Sequence, residues 1–245
     1  MHDTPTSAAP RAGTPAAPAR PGRRIIDAPV RAFHWLFALS FAGAWLTAES
    51  ERWRGLHVTL GYAFGGLLLF RLAYGLIGPR QARLALLGHR VSGLGAWWRG
   101  VQAGRVDPAR LAGLAMGAAM LLLLALAAPL VLSGYAAQVE WRGLEDALEE
   151  VHEALANASL MLVFAHLALI ALLSVLRRRN LVRPMLTGRG DGPGPDLARA
   201  NRGGLALLLV AACLGFVAWQ TLQDPLPGSL SSPAGHHGRE ADEDD

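Results

Sequence analysis

Long apolar segments alternate with charged connections along most of this chain. Five of them approach the roughly 20 residues that a helix needs to cross a bilayer, and they cover residues 30–48, 57–77, 111–135, 152–176 and 203–219. Because a lone strand leaves its backbone groups unpaired in lipid, each segment is predicted to be a helix. The pattern predicts an all-α membrane protein with five transmembrane helices, the first four of which form one bundle.

The charges of the connections predict the orientation of the helices. Five arginines precede or open the first segment, six lie in residues 78–110 and seven in residues 177–202. Arginine-rich connections face the cytoplasm. Residues 136–150 carry five acidic residues against one arginine, and the chain ends in an acidic run. We therefore expect a multi-pass protein of the bacterial inner (plasma) membrane, with a cytoplasmic N-terminus and a periplasmic C-terminus.

The segments outside the bundle are predicted from their composition. Residues 1–24 are rich in Ala, Pro, Thr and Arg and lack apolar periodicity, so we expect a disordered N-terminal tail. Residues 191–220 hold the fifth helix with its lead-in, and residues 221–245 are expected to be a flexible acidic tail. Surface helices are expected at residues 91–99, which contain two adjacent tryptophans, and at residues 141–151.

Composition narrows the classes of function. Hydrophobic residues make up 52% of the 245 residues and charged residues 17%, a balance typical of membrane proteins. The net charge of +4 does not indicate nucleic-acid binding, because the arginines lie between apolar segments and form no basic stripe with interleaved aromatics. A single cysteine, Cys213, excludes a disulfide within the chain and a cysteine-ligated zinc or iron–sulfur site.

Half of the eight histidines lie within or at the mouths of the predicted spans. They are His34, His57, His152 and His166. The others lie in polar segments and are His2, His89, His236 and His237. Ionisable side chains inside a membrane cost free energy, so an intramembrane histidine indicates a function with a partner. One such residue is readily explained by hydrogen bonding between helices, whereas four on three helices indicate a shared role.

The spacing of these histidines predicts two pairs at different depths. His152 and His166 are 14 residues apart, which brings them to within roughly 40° of one helix face and separates them by about 21 Å along the axis. His57 opens the second span on the outer side, as His152 opens the fourth, so these two form an outer pair. His34 lies near the cytoplasmic start of the first span and forms an inner pair with His166.

Haem is the cofactor that suits two pairs of imidazoles. Two histidines saturate the iron and favour electron transfer over oxygen chemistry. The chain has no Cys-x-x-Cys-His motif, so two non-covalent haems of b type are predicted, each with bis-histidine ligation, in a four-helix haem-binding bundle. Four glycines are expected to let the flat ring approach the backbone, namely Gly43, Gly61, Gly65 and Gly66.

Several arginines are candidate partners of the haem propionates. Arg71 follows His57 by 14 residues and either pairs with a propionate of the inner haem or extends to the cytoplasmic surface. Arg52 and Arg54 either do the same for the outer haem or are exposed loop residues, and Arg31, one turn before His34, is a further candidate.

Several motifs resemble those of a known group of membrane cytochromes. They are Asp-Ala-Pro-Val-Arg-Ala-Phe-His-Trp at 27–35, His-Val-Thr-Leu-Gly-Tyr at 57–62, Phe-Arg-Leu-Ala-Tyr-Gly-Leu-Ile-Gly-Pro-Arg at 70–80, the His152-Glu153 to His166 pair, and Asn-Leu-Val-Arg-Pro-Met-Leu-Thr-Gly at 180–188. Over roughly residues 25–190 the chain resembles the bacterial cytochrome b561 and nickel–iron hydrogenase b-type cytochrome superfamily.

The resemblance implies a dihaem cytochrome b domain over residues 25–190, with His34, His57, His152 and His166 as ligands and Arg71 as a propionate partner. It implies electron transfer between a periplasmic redox protein, such as a c-type cytochrome or a hydrogenase-like partner, and the membrane quinone pool. No motif for a quinone pocket is carried over.

Three functions follow as hypotheses. The first is an electron-transfer subunit with no bond-making chemistry of its own, in which the acidic outer surface favours a basic partner. The second is a quinone reductase or oxidase with quinone bound beside the cytoplasmic haem. The third is a membrane scaffold or assembly protein whose histidines only pack helices.

Overall fold

The chain is mostly helical throughout the part described by the computed structural model, which comprises residues 22–91, 93–105, 108–190 and 194–223. In chain order the helices are α1 (Ala28–Thr47), α2 (Arg54–Ile77), α3 (Leu84–Val91), α4 (Leu94–Gln102), α5 (Pro108–Gln138), α6 (Glu145–Leu176), α7 (Arg183–Thr187) and α8 (Gly203–Gln223). Single 3-10 turns at Glu51–Trp53, Arg80–Ala82 and Trp141–Gly143 join some of them. Two-residue strands β1 (Arg23–Arg24) and β2 (Arg189–Gly190) pair antiparallel.

Four helices of the described chain are long and apolar enough to cross a membrane, so the protein is a multi-pass membrane protein. They are Glu51–Ile77, Arg110–Gln138, Glu145–Leu176 and Gly203–Gln223. Helix α1 has 20 residues and rises about 30 Å, which is sufficient in length. It falls short in apolar character because it contains Arg31, His34 and two tryptophans. That the first apolar segment, α1, also spans the membrane, which would make five spans, therefore remains a prediction.

The helices pack as two hairpins with α8 at the side. Helix α1 packs on α2, α5 packs on α6, α2 contacts α5, and α8 lies against both α1 and α2. Where the hairpins meet, a buried cluster combines side chains from α2 and α5 with partly buried neighbours on α1 and α6. Its buried members are Phe64, Leu68, Ala127 and Leu130. This cluster holds the two hairpins together at mid-height.

The segments next to the bundle differ in part from the sequence-based prediction. The predicted disorder of residues 1–24 is wrong at its end, because β1 pairs with β2 and the Ile25 amide donates to the Gly188 carbonyl at 2.8 Å. Residues 1–21 lie outside the described residues. Helix α8 continues to Gln223, past the predicted start of the C-terminal tail at residue 221, and residues 224–245 lie outside the described residues.

The two expected surface helices have different outcomes. Residues 91–99 were predicted to form one surface helix. The connection contains two helices, α3 and α4, and residue 92 between them lies outside the described residues. No separate helix spans residues 141–151 in the described structure, since α6 begins at Glu145 and carries the later apolar positions of that pattern. A continuous helix pairs all of its internal backbone hydrogen-bonding groups. The residues of the amphipathic pattern therefore extend the transmembrane helix instead of forming a separate one.

A buried carboxylate joins three helices at one end of the bundle. Asp27 is the N-cap of α1 and only 1% exposed, and its side chain accepts a hydrogen bond from the Val30 amide at 3.4 Å. It also accepts from the Tyr74 hydroxyl of α2 at 2.7 Å and lies 3.7 Å from Arg202, directly before α8. A charge buried this deeply requires such partners, because an unpaired one would lose its hydration without compensation. Asp27 therefore connects the starts of α1 and α8 to the end of α2.

We predict that Asp27→Ala lowers the free energy of unfolding by about 3 kcal/mol, because it leaves the Arg202 guanidinium and the Tyr74 hydroxyl unpartnered. For a chain of this size that is a fall of about 6–12 °C in Tm, measurable by thermal unfolding in detergent. Asp196→Ala is the matched control, since this exposed carboxylate accepts one hydrogen bond, from the Arg24 amide at 2.6 Å. Equal losses in the two variants would contradict the role of Asp27.

Candidate metal-ligand histidines

The structure brings His57 and His152 together. His57 lies one turn after the start of α2, and His152 lies two turns after the start of α6, deeper than the helix mouth that the sequence predicted. Their ring centres are 6.2 Å apart and the ring planes are nearly perpendicular, at 84°. Two helices from different hairpins therefore present one imidazole each to a shared space.

Backbone carbonyls orient both rings of this outer pair. The His57 Nδ1 lies 2.8 Å from the Ala44 carbonyl oxygen of α1, and the His152 Nδ1 lies 2.9 Å from the Leu130 carbonyl oxygen of α5. A carbonyl only accepts, so each Nδ1 carries the proton and donates. In a neutral imidazole this leaves Nε2 as an unprotonated nitrogen with a free lone pair, the state in which histidine binds a metal.

The separation of the two rings fits one transition-metal ion between them. An imidazole nitrogen lies about 2 Å from a bound metal and the ring centre about 1 Å farther, so two imidazoles on opposite sides have centres about 6 Å apart. The observed 6.2 Å agrees with this value. The described residues contain no cluster of three or more His, Cys, Asp or Glu that could hold an ion. Two imidazoles without further ligand groups would suit a metal that receives its other ligands from a macrocycle.

Glycine 134 makes room for His152. A Cβ at this position of α5 would lie 2.6 Å from Cε1 and 2.8 Å from Nδ1 of the imidazole, closer than atoms can approach. Sequence reasoning missed Gly134, although a Ser-Gly step inside a leucine-rich span was a usable signal. The residue at this position must be glycine for the ring to reach the Leu130 carbonyl.

The four glycines predicted to admit a flat ring divide into two groups. A Cβ at Gly43 would meet Leu60 at 2.7 Å, and one at Gly65 would meet Val131 at 3.0 Å. These two glycines therefore serve contacts between helices, which corrects their predicted role. At Gly61 and Gly66 an added Cβ would have no atom of the described chain within 4 Å, so the space beside these two positions is open.

The second pair that the sequence predicts comprises His34 of α1 and His166 of α6. Both side chains are partly buried, and the Nδ1 of each is shielded from solvent without a hydrogen-bond partner among the described residues. Buried polar atoms are almost always paired, and an exception indicates a missing ligand or water. The unpaired imidazole nitrogens fit a cofactor that binds between α1 and α6.

Aromatic rings separate the two pairs along the bundle. Phe37, one turn after His34 on α1, stacks on Phe64 with ring centres 3.9 Å apart, and Phe64 lies two turns after His57 on α2. Phe41 contacts the same ring at 5.9 Å. Together with the buried cluster of the bundle, these rings form an apolar layer between the outer and inner histidines.

The candidate arginines have varied surroundings. Arg71 is partly buried and donates from Nη1 to the Ala82 carbonyl at 3.0 Å, in the connection after α2. Arg52 is exposed, with its guanidinium 5.9 Å from the centre of the Trp53 ring. The other two candidates also have partners, since Arg54 lies 4.0 Å from Glu51, and Arg31 donates to the Leu186 carbonyl at 2.7 Å. The role of each toward a propionate stays a prediction.

The structure describes no side chain for the remaining histidines. His89 belongs to α3, and nothing is described of its side chain. His2, His236 and His237 lie outside the described residues. The sequence also missed the Ala44 and Leu130 carbonyls and the burial of Asp27, none of which a pattern of residue types indicates.

Comparison with known proteins gives one match. No curated protein and no solved structure matches the chain. The family model described as prokaryotic cytochrome b561 matches residues 25–188, which include both histidine pairs and Asp27 and end before α8. A match over that part of the chain, on helices that carry paired histidines in a membrane bundle, shows that the protein belongs to the prokaryotic cytochrome b561 family and is a membrane b-type cytochrome of electron transfer.

Proposed function

We propose that this protein carries electrons across the membrane with two haems, one between His57 and His152 and one between His34 and His166. The observation that carries the proposal is the outer pair. Its two rings are 6.2 Å apart, and each Nδ1 is bound to a backbone carbonyl, so that the other nitrogen is available to a metal. The unpaired Nδ1 atoms of His34 and His166 support a second site.

The residues of the chain supply position, orientation and exclusion of water. His57 with His152, and His34 with His166, would each hold a haem, which would supply one-electron transfer. Helix α6 carries one ligand of each site, with His152 and His166 about 21 Å apart along its axis. Backbone hydrogen bonds hold the outer rings in one tautomer, and the phenylalanine layer keeps water out of the space between the two levels. Fixed ligands reduce the rearrangement that accompanies a change of charge.

We propose that α1 is also a transmembrane helix, which makes five, and that the protein has one orientation in the membrane. Helix α1 lies against α2 and α8, two helices that qualify as membrane spans, and its length of 20 residues suffices to cross. We propose that the arginine-rich connections face the cytoplasm of a bacterial inner membrane, with the acidic residues 136–150 in the periplasm. His57 and His152 then form the periplasmic site.

Partners follow from this sidedness. We propose that a periplasmic c-type cytochrome or hydrogenase-like protein exchanges electrons with the outer haem and that membrane quinone exchanges them with the inner one. Arg52 and Arg71 are proposed propionate partners at the outer and inner levels. Each retains donors for such a role, because a guanidinium has five N–H groups and the Arg71 contact with Ala82 uses one Nη1 donor.

We predict that the purified protein contains two haem b per chain, with a b-type alpha band after dithionite reduction. His57→Ala and His152→Ala should each reduce the ratio from two haems to one, and His34→Ala and His166→Ala should remove the other haem, since one imidazole does not hold the ring against loss. Pyridine haemochrome assay gives the ratio. His89→Ala is the control and should retain both haems. Colourless protein from haem-replete cells would support the scaffold hypothesis instead.

We predict that Gly134→Ala lowers occupancy of the outer haem, because the new Cβ would occupy the place of the His152 ring. The haem ratio should fall from two toward one, and the electron paramagnetic resonance signal of the outer haem should shift or disappear. Gly215→Ala in α8 is the matched control, since nothing lies within 4 Å of its added Cβ. Unchanged haem content and spectrum in Gly134→Ala would contradict the placement of His152.

We predict that reduction of the outer haem by a basic c-type cytochrome slows at least tenfold as ionic strength rises, because salt screens the attraction to the acidic periplasmic connection. Stopped-flow absorbance measures the rate. Neutralising Glu149 and Glu150 together to glutamine should lower the low-salt rate and flatten the salt dependence. A rate independent of salt would argue for an uncharged docking surface or a different donor.

A further inference from the structure

A cleft opens beside the short helix α4, away from both histidine pairs. It lies between α4 and the start of α5, with a volume of about 420 Å³. Its lining residues are Ala96, Trp97, Arg99, Gly100, Arg105 and Arg110. Half of them are arginines, and no acidic side chain is among them.

The cleft has the donors of an anion site. Each guanidinium offers five N–H groups in a planar fork that matches phosphate oxygens. Among the five donors of Arg99, Nε donates to the Gly95 carbonyl at 3.3 Å. Residues 78–110 contain six arginines and a single acidic residue, Asp107, which lies outside the described residues. The local charge is therefore strongly positive.

Trp97 adds a second, independent observation. Its indole Nε1 is shielded from solvent and has no acceptor among the described residues. An indole nitrogen is a donor only, so a buried one without an acceptor indicates a group that the described residues do not supply. A phosphate oxygen in the cleft would supply the acceptor.

The short helices of this connection expose apolar side chains. Leu94 and Trp98 of α4 are 55% and 56% exposed, and Leu86 of α3 is 46% exposed. Short amphipathic helices with tryptophans and arginines lie at the boundary between head groups and acyl chains. An anion bound here would therefore lie beside surface suited to a hydrocarbon chain.

We propose that this cleft binds the phosphate head group of an anionic phospholipid, such as phosphatidylglycerol, from the leaflet on the arginine-rich side. The arginines and the Trp97 N–H hold the phosphate, and the exposed apolar side chains of α3 and α4 lie along the acyl chains. The combination of positive charge with adjacent apolar surface favours a lipid over free phosphate.

Native mass spectrometry of the full-length protein in mild detergent tests the proposal, with dioleoylphosphatidylglycerol and dioleoylphosphatidylcholine as probes. The wild type should retain one phosphatidylglycerol in preference to phosphatidylcholine. Substitution of Arg99, Arg105 and Arg110 by glutamine should weaken its binding about tenfold or more. Substitution of Arg177, Arg178 and Arg179 removes the same charge elsewhere and should change it less than about twofold.

Two further changes keep the test decisive. Trp97→Phe retains the ring without the N–H and should weaken binding about threefold. Arg105→Gln alone, in the exposed turn after α4, should do the same and serves if the triple variant does not fold. Equal losses in the two triple variants, or equal binding of the two lipids, would overturn the proposal. Displacement of the lipid by excess inorganic phosphate would assign the cleft to a soluble anion and overturn the lipid assignment.

Discussion

Hydrogen bonds from two imidazoles to backbone carbonyls are the interactions on which the outer site depends. Inside a bilayer no water competes for these carbonyls, so each bond fixes the ring and its tautomer firmly. His57 of α2 is held by the Ala44 carbonyl of α1, and His152 of α6 by the Leu130 carbonyl of α5. Each hairpin thus orients its own ligand before the two meet. A cofactor between the hairpins would find both nitrogens already in position, with little side-chain entropy left to lose.

Packing at mid-height sets the distance between the hairpins. The stacked rings of Phe37 and Phe64 and the buried side chains around them fill the space between the two histidine levels. The bundle is thus closed by apolar packing between the two histidine levels. At the outer level, Gly134 of α5 has no side chain, and this leaves the volume that the His152 ring occupies.

The opposite end of the bundle depends on charge. Asp27 belongs to the part that matches the family, whereas Arg202 lies beyond residue 188, at the start of α8. The added helix is therefore attached through an ion pair on a carboxylate that the bundle already buries and that Tyr74 already binds. Such a pair contributes little net stability compared with apolar packing, yet losing one partner is costly. The arrangement fixes the position of α8 without requiring many buried apolar contacts.

The sequence alone determined the local features of this protein. Apolar runs of bilayer length predicted the long helices α2, α5, α6 and α8, since backbone hydrogen bonding in lipid leaves no other choice. Helical spacing and connection charge predicted that His57 and His152 lie at the same level, and the structure has their ring centres 6.2 Å apart.

The features that depend on residues distant in the sequence were decided by the tertiary structure. Gly43 and Gly65 were expected beside a ring but pack against Leu60 and Val131, and Gly134 was not identified at all. The end of the N-terminal tail was expected to be disordered, yet β1 pairs with β2 more than 160 residues later. Which carbonyl holds an imidazole, which glycine leaves room for it and which carboxylate is buried are set by the helices packed alongside. These features cannot be predicted from the periodicity of any single helix.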